Sequence, residues 1–569
     1  MTVSTETLKA AARPTATPRP LPARPADQDL WIFRDGKKTV SAQDLVSDLR
    51  ARLTNSIPST SFIDALIEAG ELEAALEDAG CQSATSASRV TTAIASVVCG
   101  SSRDALASAA DTLESLEVPA RVSVSPPEGF TYYALHPTDF VGVLDKVARD
   151  PKPCAVVGIR SIGTTLSAVV LGALLREGMP ATRITVRPTG HPYSRRTEFS
   201  AVQLAWVERN LGAHFLVVDE GPGRSGSTFL SVAESLVETG IPRENITLIG
   251  SRDPDVGSLC ADNATARWRQ FRFVATTPSV NQRFARHIYV GGGGWRKFLL
   301  PPGKSWPGSW TQMERLKFVS PDWKHLYKFE GMGPIGAEAR ARAFQLAKAG
   351  FGPRVCEAED GFLCYSLVRG KAMQPEDADG GVLDRIACYC AFRNSEFSSA
   401  ASSGTPQLRE MLEFNIMQEF GITLSLHEDV FCNDRPVITD GSMQPYEWIA
   451  ARSGQVIKVD GLDHGDNHFF PGPCGIAWDL AGASVEWNLS GAATEYMLNR
   501  FRAASGLDAS SKFDLYRLAY LVFRLGFCKM GISTVQGSPE ETRLRKAYAN
   551  YRAQARTLLE VMTLSGQAA

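Results

Sequence analysis

A chain of 569 residues has room for three or four domains, and its 60 Lys and Arg against 62 Asp and Glu leave a net charge of only −2. That balance excludes a global electrostatic bias toward nucleic acid or a membrane surface, so no specific nucleic-acid binding is expected. The longest apolar run, residues 166–175, is too short to span a bilayer. The opening MTVSTETLKA has no hydrophobic signal segment, so a cytoplasmic location is expected. Eleven scattered cysteines without a C-x-x-C pair read as reduced thiols.

Residues 1–28 are rich in Pro, Ala, Thr and Arg and are expected to form a disordered tail. A short strand at 31–33 is followed by amphipathic helices at 42–53, 61–80 and 102–117, where apolar residues recur at three and four spacing. Residues 29–120 are therefore assigned to a helical N-terminal extension.

Residues 154–159, CAVVGI, form the first buried strand, and 160–165 read as a loop into a helix over 166–178. A basic, turn-rich stretch at 183–197 follows. Residues 215–218, FLVV, read as a second buried strand, which ends on Asp219 and Glu220 and continues into the small-residue loop 221–228 and a helix. A strand, such a loop and a helix N-terminus converge backbone N–H groups and the helix dipole on one spot, which suits a phosphate. Acids beside a phosphate have to accept sugar hydroxyls or hold a divalent cation, so the ligand that meets both demands is a phosphorylated ribose.

At these residues the chain resembles the type I phosphoribosyltransferases. The resemblance implies phosphoribosyl pyrophosphate and Mg²⁺, with Asp219 and Glu220 on the ribose and Gly223, Arg224, Ser225, Gly226, Ser227 and Thr228 around the 5-phosphate. It implies pyrophosphate contacts from Arg160, Ser161, Gly163 and Thr164, and a mobile loop carrying Arg195 and Arg196. The expected domain covers 121–300. A rival reading takes 221–226 as a G-x-G-x-x-G dinucleotide loop with Asp253 on the ribose, which would make the protein an oxidoreductase.

Beyond residue 260 the pattern loosens. Four glycines at 291–294 read as a linker. Gly303, Lys304 and Ser305 look like the end of a P-loop, but Phe298 stands where its first glycine is required.

From residue 316 a hairpin at 317–331 and a helix at 337–350 resemble the N-lobe of aminoglycoside phosphotransferase-like kinases, in a domain expected over 301–569. The resemblance implies that Lys328 pairs with Glu338 and holds ATP phosphates. In the C-lobe, the segment 478–481, WDLA, fits the family's Asp-Leu-Ala element. Counting back from it gives Asp460 as a metal ligand at a strand end, Asp440 as the group that deprotonates the acceptor, and Glu447, where Asn is usual, as a further metal ligand. A competing alignment through H-G-D at 464–466 makes Asp466 catalytic and Asp479 the metal ligand; otherwise 463–468, with Asp466, is an active-site loop that touches Mg²⁺ or substrate.

The expected fold class is α/β: a parallel-sheet phosphoribosyltransferase-like domain followed by a two-lobed α+β kinase-like domain. The expected function is a bifunctional transferase using phosphoribosyl pyrophosphate and ATP on small-molecule substrates, with a homo-oligomer left open. The alternative from another class is a sensor that binds such ligands without turnover.

Overall fold

The computed structural model describes residues 37–54, 61–147, 152–223, 225–301, 306–399, 405–428, 430–431, 434–462, 464–465, 467 and 469–567. The expected tail, the strand at 31–33, Arg224, the segment 303–305, Asp463, Asp466 and His468 lie outside the described residues.

Apolar residues without polar alternation build a five-stranded parallel sheet. Its spatial order is Ala181–Val186, Cys154–Ile159, His214–Val218, Ile246–Gly250 and Arg272–Ala275. In chain order that is 2-1-3-4-5, a doubly wound arrangement whose strand order reverses between Cys154–Ile159 and His214–Val218. The crevice beyond the carboxyl ends of those two strands is where such sheets hold ligands. Alternation along the strands serves both faces. Val156, Leu216 and Val218 join the core under helix Ile162–Arg176, while Ala155, Val157, Phe215 and Val217 pack under helix Ser227–Glu238.

The N-terminal extension belongs to the same core. Helices Ala42–Thr54, Ser61–Asp78, Ala84–Val98 and Asp104–Glu114 bury their apolar faces with Ile162–Arg176. The antiparallel pair Lys38–Ser41 and Arg121–Val124 joins the two ends of the extension. Helix Ala84–Val98 was not among the expected elements, because its Ser- and Thr-rich sequence masks the apolar face.

The second half begins with an antiparallel sheet ordered Ile288–Tyr289, Lys317–Val319, His325–Phe329, Phe362–Ser366 and Val355–Glu357. The expected boundary at 300/301 cuts this sheet. Ile288–Tyr289 covers the free edge of the hairpin, so this sheet takes in a strand from before that boundary. A small sheet of Gly370–Ala372, Trp448–Ala451 and Val456–Lys458 joins this lobe to a helical one. There Trp478, Tyr516 and Tyr520 are fully buried.

The two halves share a core: Phe130 and Leu135 cluster with Phe318, Phe329, Met332 and Phe362. The Met332 amide donates to the Phe130 carbonyl at 3.0 Å, and the Gly333 amide to Asp64 Oδ1 at 2.7 Å. No helix of the described residues is long and apolar enough to cross a membrane.

Candidate functional site

Two constellations stand out. In the parallel-sheet half, the loops after Cys154–Ile159 and His214–Val218 touch. A Cβ on Gly163 would lie 2.6 Å from the Val218 carbonyl, so only glycine allows this approach. Asp219 Oδ1 accepts from the Glu220 amide at 2.8 Å. Burial pushes Asp219 well above the usual carboxylate range, and burial with Glu128 nearby lifts Glu220 to about 7. The side chains of Ser225 and Ser227 are 3.0 Å apart, and Ser227 Oγ donates to the Pro192 carbonyl at 2.6 Å. The hairpin Thr189–His191 with Ser194–Arg196, which carries Arg195 and Arg196, thus folds over the loop before helix Ser227–Glu238. Gly223 is exposed, Gly226 buried and Thr228 half-buried. The G-x-G-x-x-G segment follows the third strand of the sheet in chain order, not the first as a dinucleotide site requires.

Two expected ligand contacts are corrected here. Arg160 is committed to the extension: its guanidinium lies 3.0 Å from Glu77 and 3.4 Å from Asp78, with 9% of the side chain exposed. Arg187 pairs with Asp78 as well and donates to the Arg160 carbonyl at 3.0 Å. Both guanidinium groups thus have carboxylate partners within the chain, and a pyrophosphate does not find them waiting. Thr164 lies in the first turn of helix Ile162–Arg176, not in a loop, and is fully buried. Ser161 precedes that helix and its hydroxyl faces Arg187 at 3.4 Å.

The second constellation lines a cavity of 610 Å³ between the antiparallel sheet and the helical lobe. Lys328, on strand His325–Phe329, lies 2.7 Å from Asp460 Oδ1 and 3.3 Å from Glu330. Lys317 lies 2.6 Å from Asp460 Oδ2. Burial alone would raise the Asp460 carboxyl, but Lys317 and Lys328, with His464 nearby, outweigh it and hold it well below the usual range. Trp295 and Tyr446 stack at 5.0 Å on the cavity wall, with Phe298 against Trp323 at 4.9 Å. Flat aromatic surface of this kind suits a nucleobase.

The expected partner of Lys328 is corrected: Glu338 is 67% exposed and faces Arg342 at 4.0 Å. Asp440 is fully buried. One of its oxygens accepts from the Tyr389 hydroxyl at 2.5 Å; the other faces the Ser442 amide at 3.2 Å and Lys458 at 3.3 Å. Its carboxylate is thus taken up by partners within the chain when no ligand is bound. Asp479 holds the Asp440 loop from behind, accepting from the Asp440 and Gly441 amides at 2.8 and 3.1 Å. Burial lifts Asp479 to about 6, against the opposing pull of Arg393. A Cβ on Gly461 would lie 2.6 Å from the Tyr389 hydroxyl and 2.9 Å from Asp440, so a side chain there displaces the cluster.

Glu447 lines the cavity but accepts from Ser442 Oγ at 3.0 Å and Lys458 at 2.8 Å. It is not open to a metal, which corrects its expected role as ligand. Among the described residues no group of three His, Cys, Asp or Glu could hold a metal ion. Asp460 alone fits Mg²⁺, since that ion is commonly held by one carboxylate together with substrate phosphates.

Lys317, Glu330, Tyr389, Arg393 and Lys458 were missed from sequence. Signals pointed to two of them: Lys317 falls opposite Lys328 across the hairpin, and Lys458 ends its strand two residues before Asp460.

No family model matches the chain, and no curated protein matches it. Among solved structures, a choline/ethanolamine kinase family protein from Mesorhizobium loti is similar at 16% identity and a TM-score of 0.31. The match covers 47% of this chain and 93% of that one. Choline kinase LicA from Streptococcus pneumoniae is similar at 13% identity and a TM-score of 0.31, covering 48% and 98%. An ethanolamine kinase from Plasmodium vivax is similar at 10% identity and a TM-score of 0.30, covering 42% and 79%. At these values the likeness carries no chemistry across, which rests on the residues of this chain.

Proposed function

We propose that the cleft of the second half binds ATP and transfers its terminal phosphate to a hydroxyl of a small molecule. The observation that carries this reading is the Lys317–Asp460–Lys328 cluster on the wall of the aromatic-lined cavity. Without a ligand the carboxylate neutralises both ammonium groups; nucleotide phosphates take over that task and free Asp460. When bound, Mg²⁺ would neutralise charge on the phosphates beside Asp460. Phosphoryl transfer asks the protein chiefly for positioning and electrostatic stabilisation. Lys317 and Lys328 supply the charge, while Asp479 and Gly461 keep the Asp440 loop in one conformation. Glu447 lines the cavity beside them, held in place by Ser442 and Lys458.

A second reading, phosphoribose binding in the first half, is favoured by the crevice at the strand-order reversal, where Asp219, Glu220 and the 225–227 loop meet. In this reading transfer from phosphoribosyl pyrophosphate uses those groups and not Arg160. A thermal-shift panel of full-length protein with ATP and phosphoribosyl pyrophosphate, each with and without Mg²⁺, tests both, because a ligand of the native state raises its melting point. A rise with Mg²⁺ and ATP is expected; its absence removes the phosphotransferase reading, and no rise with phosphoribosyl pyrophosphate removes the second.

A further inference from the structure

Lys458 ends the strand Val456–Lys458 and buries its ammonium, with 1% of the side chain exposed. It lies 2.8 Å from Glu447 Oε2 and 3.3 Å from Asp440 Oδ1, and it donates to the Asp460 carbonyl. An ammonium has three donors, and each has an oxygen here. The group is fully coordinated and cannot swing away without leaving carboxylates bare.

Its neighbours are equally committed. Glu447 also accepts from Ser442 Oγ, and Asp440 from Tyr389 and the Ser442 amide. The carboxylate of Asp460 lies on the other side, where Lys317 and Lys328 hold both its oxygens. The cluster is thus split. One carboxylate can be released to a metal by incoming phosphates, and two acids are already bridged by a cation belonging to the chain. A divalent ion placed between Asp440 and Glu447 would meet the Lys458 ammonium at close range and be repelled.

Resting on the nucleotide reading above, we propose that the Lys458 ammonium stands in for a second divalent cation, so that the cleft takes its nucleotide with one metal ion.

Equilibrium dialysis of the full-length protein against Mn²⁺ and a non-hydrolysable ATP analogue reads the ratio of metal to nucleotide retained. The wild type is expected to retain one Mn²⁺ per nucleotide. Lys458→Met, checked for folding by circular dichroism, opens Asp440 and Glu447 and is expected to retain two. A wild-type ratio of two overturns the proposal, and so does a folded variant that still retains one. Should Lys458→Met not fold, Lys458→Gln replaces it, and the wild-type ratio remains decisive by itself. If neither nucleotide nor Mn²⁺ is retained by the wild type, the nucleotide reading itself has failed, a result distinct from a wrong ratio.

Discussion

Lys317 and Lys328 face each other directly across the antiparallel strands Lys317–Val319 and His325–Phe329, a pairing of like charges that destabilises a sheet unless an anion lies between them. Asp460 is that anion. Asp460→Asn should therefore lower stability by about 3–5 kcal/mol, the cost of leaving buried charge unpaired, as read from urea unfolding midpoints. An unchanged midpoint would show that the two lysines do not depend on it. Glu71 gives a pH-dependent counterpart. Burial, reinforced by Glu68, lifts its carboxyl from 4.5 to about 8. The native state therefore binds the proton more tightly than the unfolded chain. The contribution of this group is complete below pH 4.5 and is lost as pH rises to 8. Glu71→Gln should leave stability at pH 4.5 nearly unchanged and raise it at pH 8 by on the order of 2 kcal/mol. A variant equally destabilised at both values would contradict the assignment.

At the scale of elements, helix Ser61–Asp78 does more than cover the parallel sheet. Its last turn places Glu77 and Asp78 on Arg160 and Arg187, and Glu73 makes a buried pair with Arg183 at 2.8 Å. Replacing Glu77 and Asp78 together by Ala should release the two outer arginines and tighten phosphoribosyl pyrophosphate binding by about tenfold, on the order of one charge-assisted contact. Isothermal titration calorimetry checks it, and unchanged affinity would show that these arginines are turned away from any ligand. This helix also shows what local pattern reveals. Its apolar repeat announced a packing face, but nothing in the repeat said that its acids meet a loop 83 residues further on. The pairing of Lys328 with Glu338 failed for the converse reason. Local counting along the chain put a carboxylate within reach, yet helix Gly333–Lys348 turns Glu338 outward, and the partner actually used lies 132 residues away.

For the whole molecule, the strands Cys154–Ile159 and His214–Val218, the hairpin and the strand that ends near Asp460 were readable because burial imposes runs or alternation on the sequence itself, whereas Ala181–Val186, only partly buried and carrying Arg183, lay inside the stretch 183–197 read as basic and turn-rich. What joins the halves was not readable. Phe130 and Met332 share a core and a hydrogen bond, and each looks like an ordinary apolar residue in its own segment. The pairing across the expected boundary was hidden on the same ground, since the strand Ile288–Tyr289 is only two residues long and gains its meaning from the hairpin it pairs with. The acid cluster around Lys458 likewise draws on Asp440, Glu447 and Asp460 from three stretches of chain, and only the fold brings them within reach of one ammonium. In the proposed function this cleft holds nucleotide phosphates on Lys328. Calorimetric titration of the full-length protein with a non-hydrolysable ATP analogue and Mg²⁺ tests it most directly, with Lys328→Met as the comparison. One nucleotide bound per wild-type chain is expected, with an affinity at least about tenfold weaker in the variant for the loss of one charge-assisted contact; equal affinities, or no binding by the wild type, would overturn the assignment of Lys328.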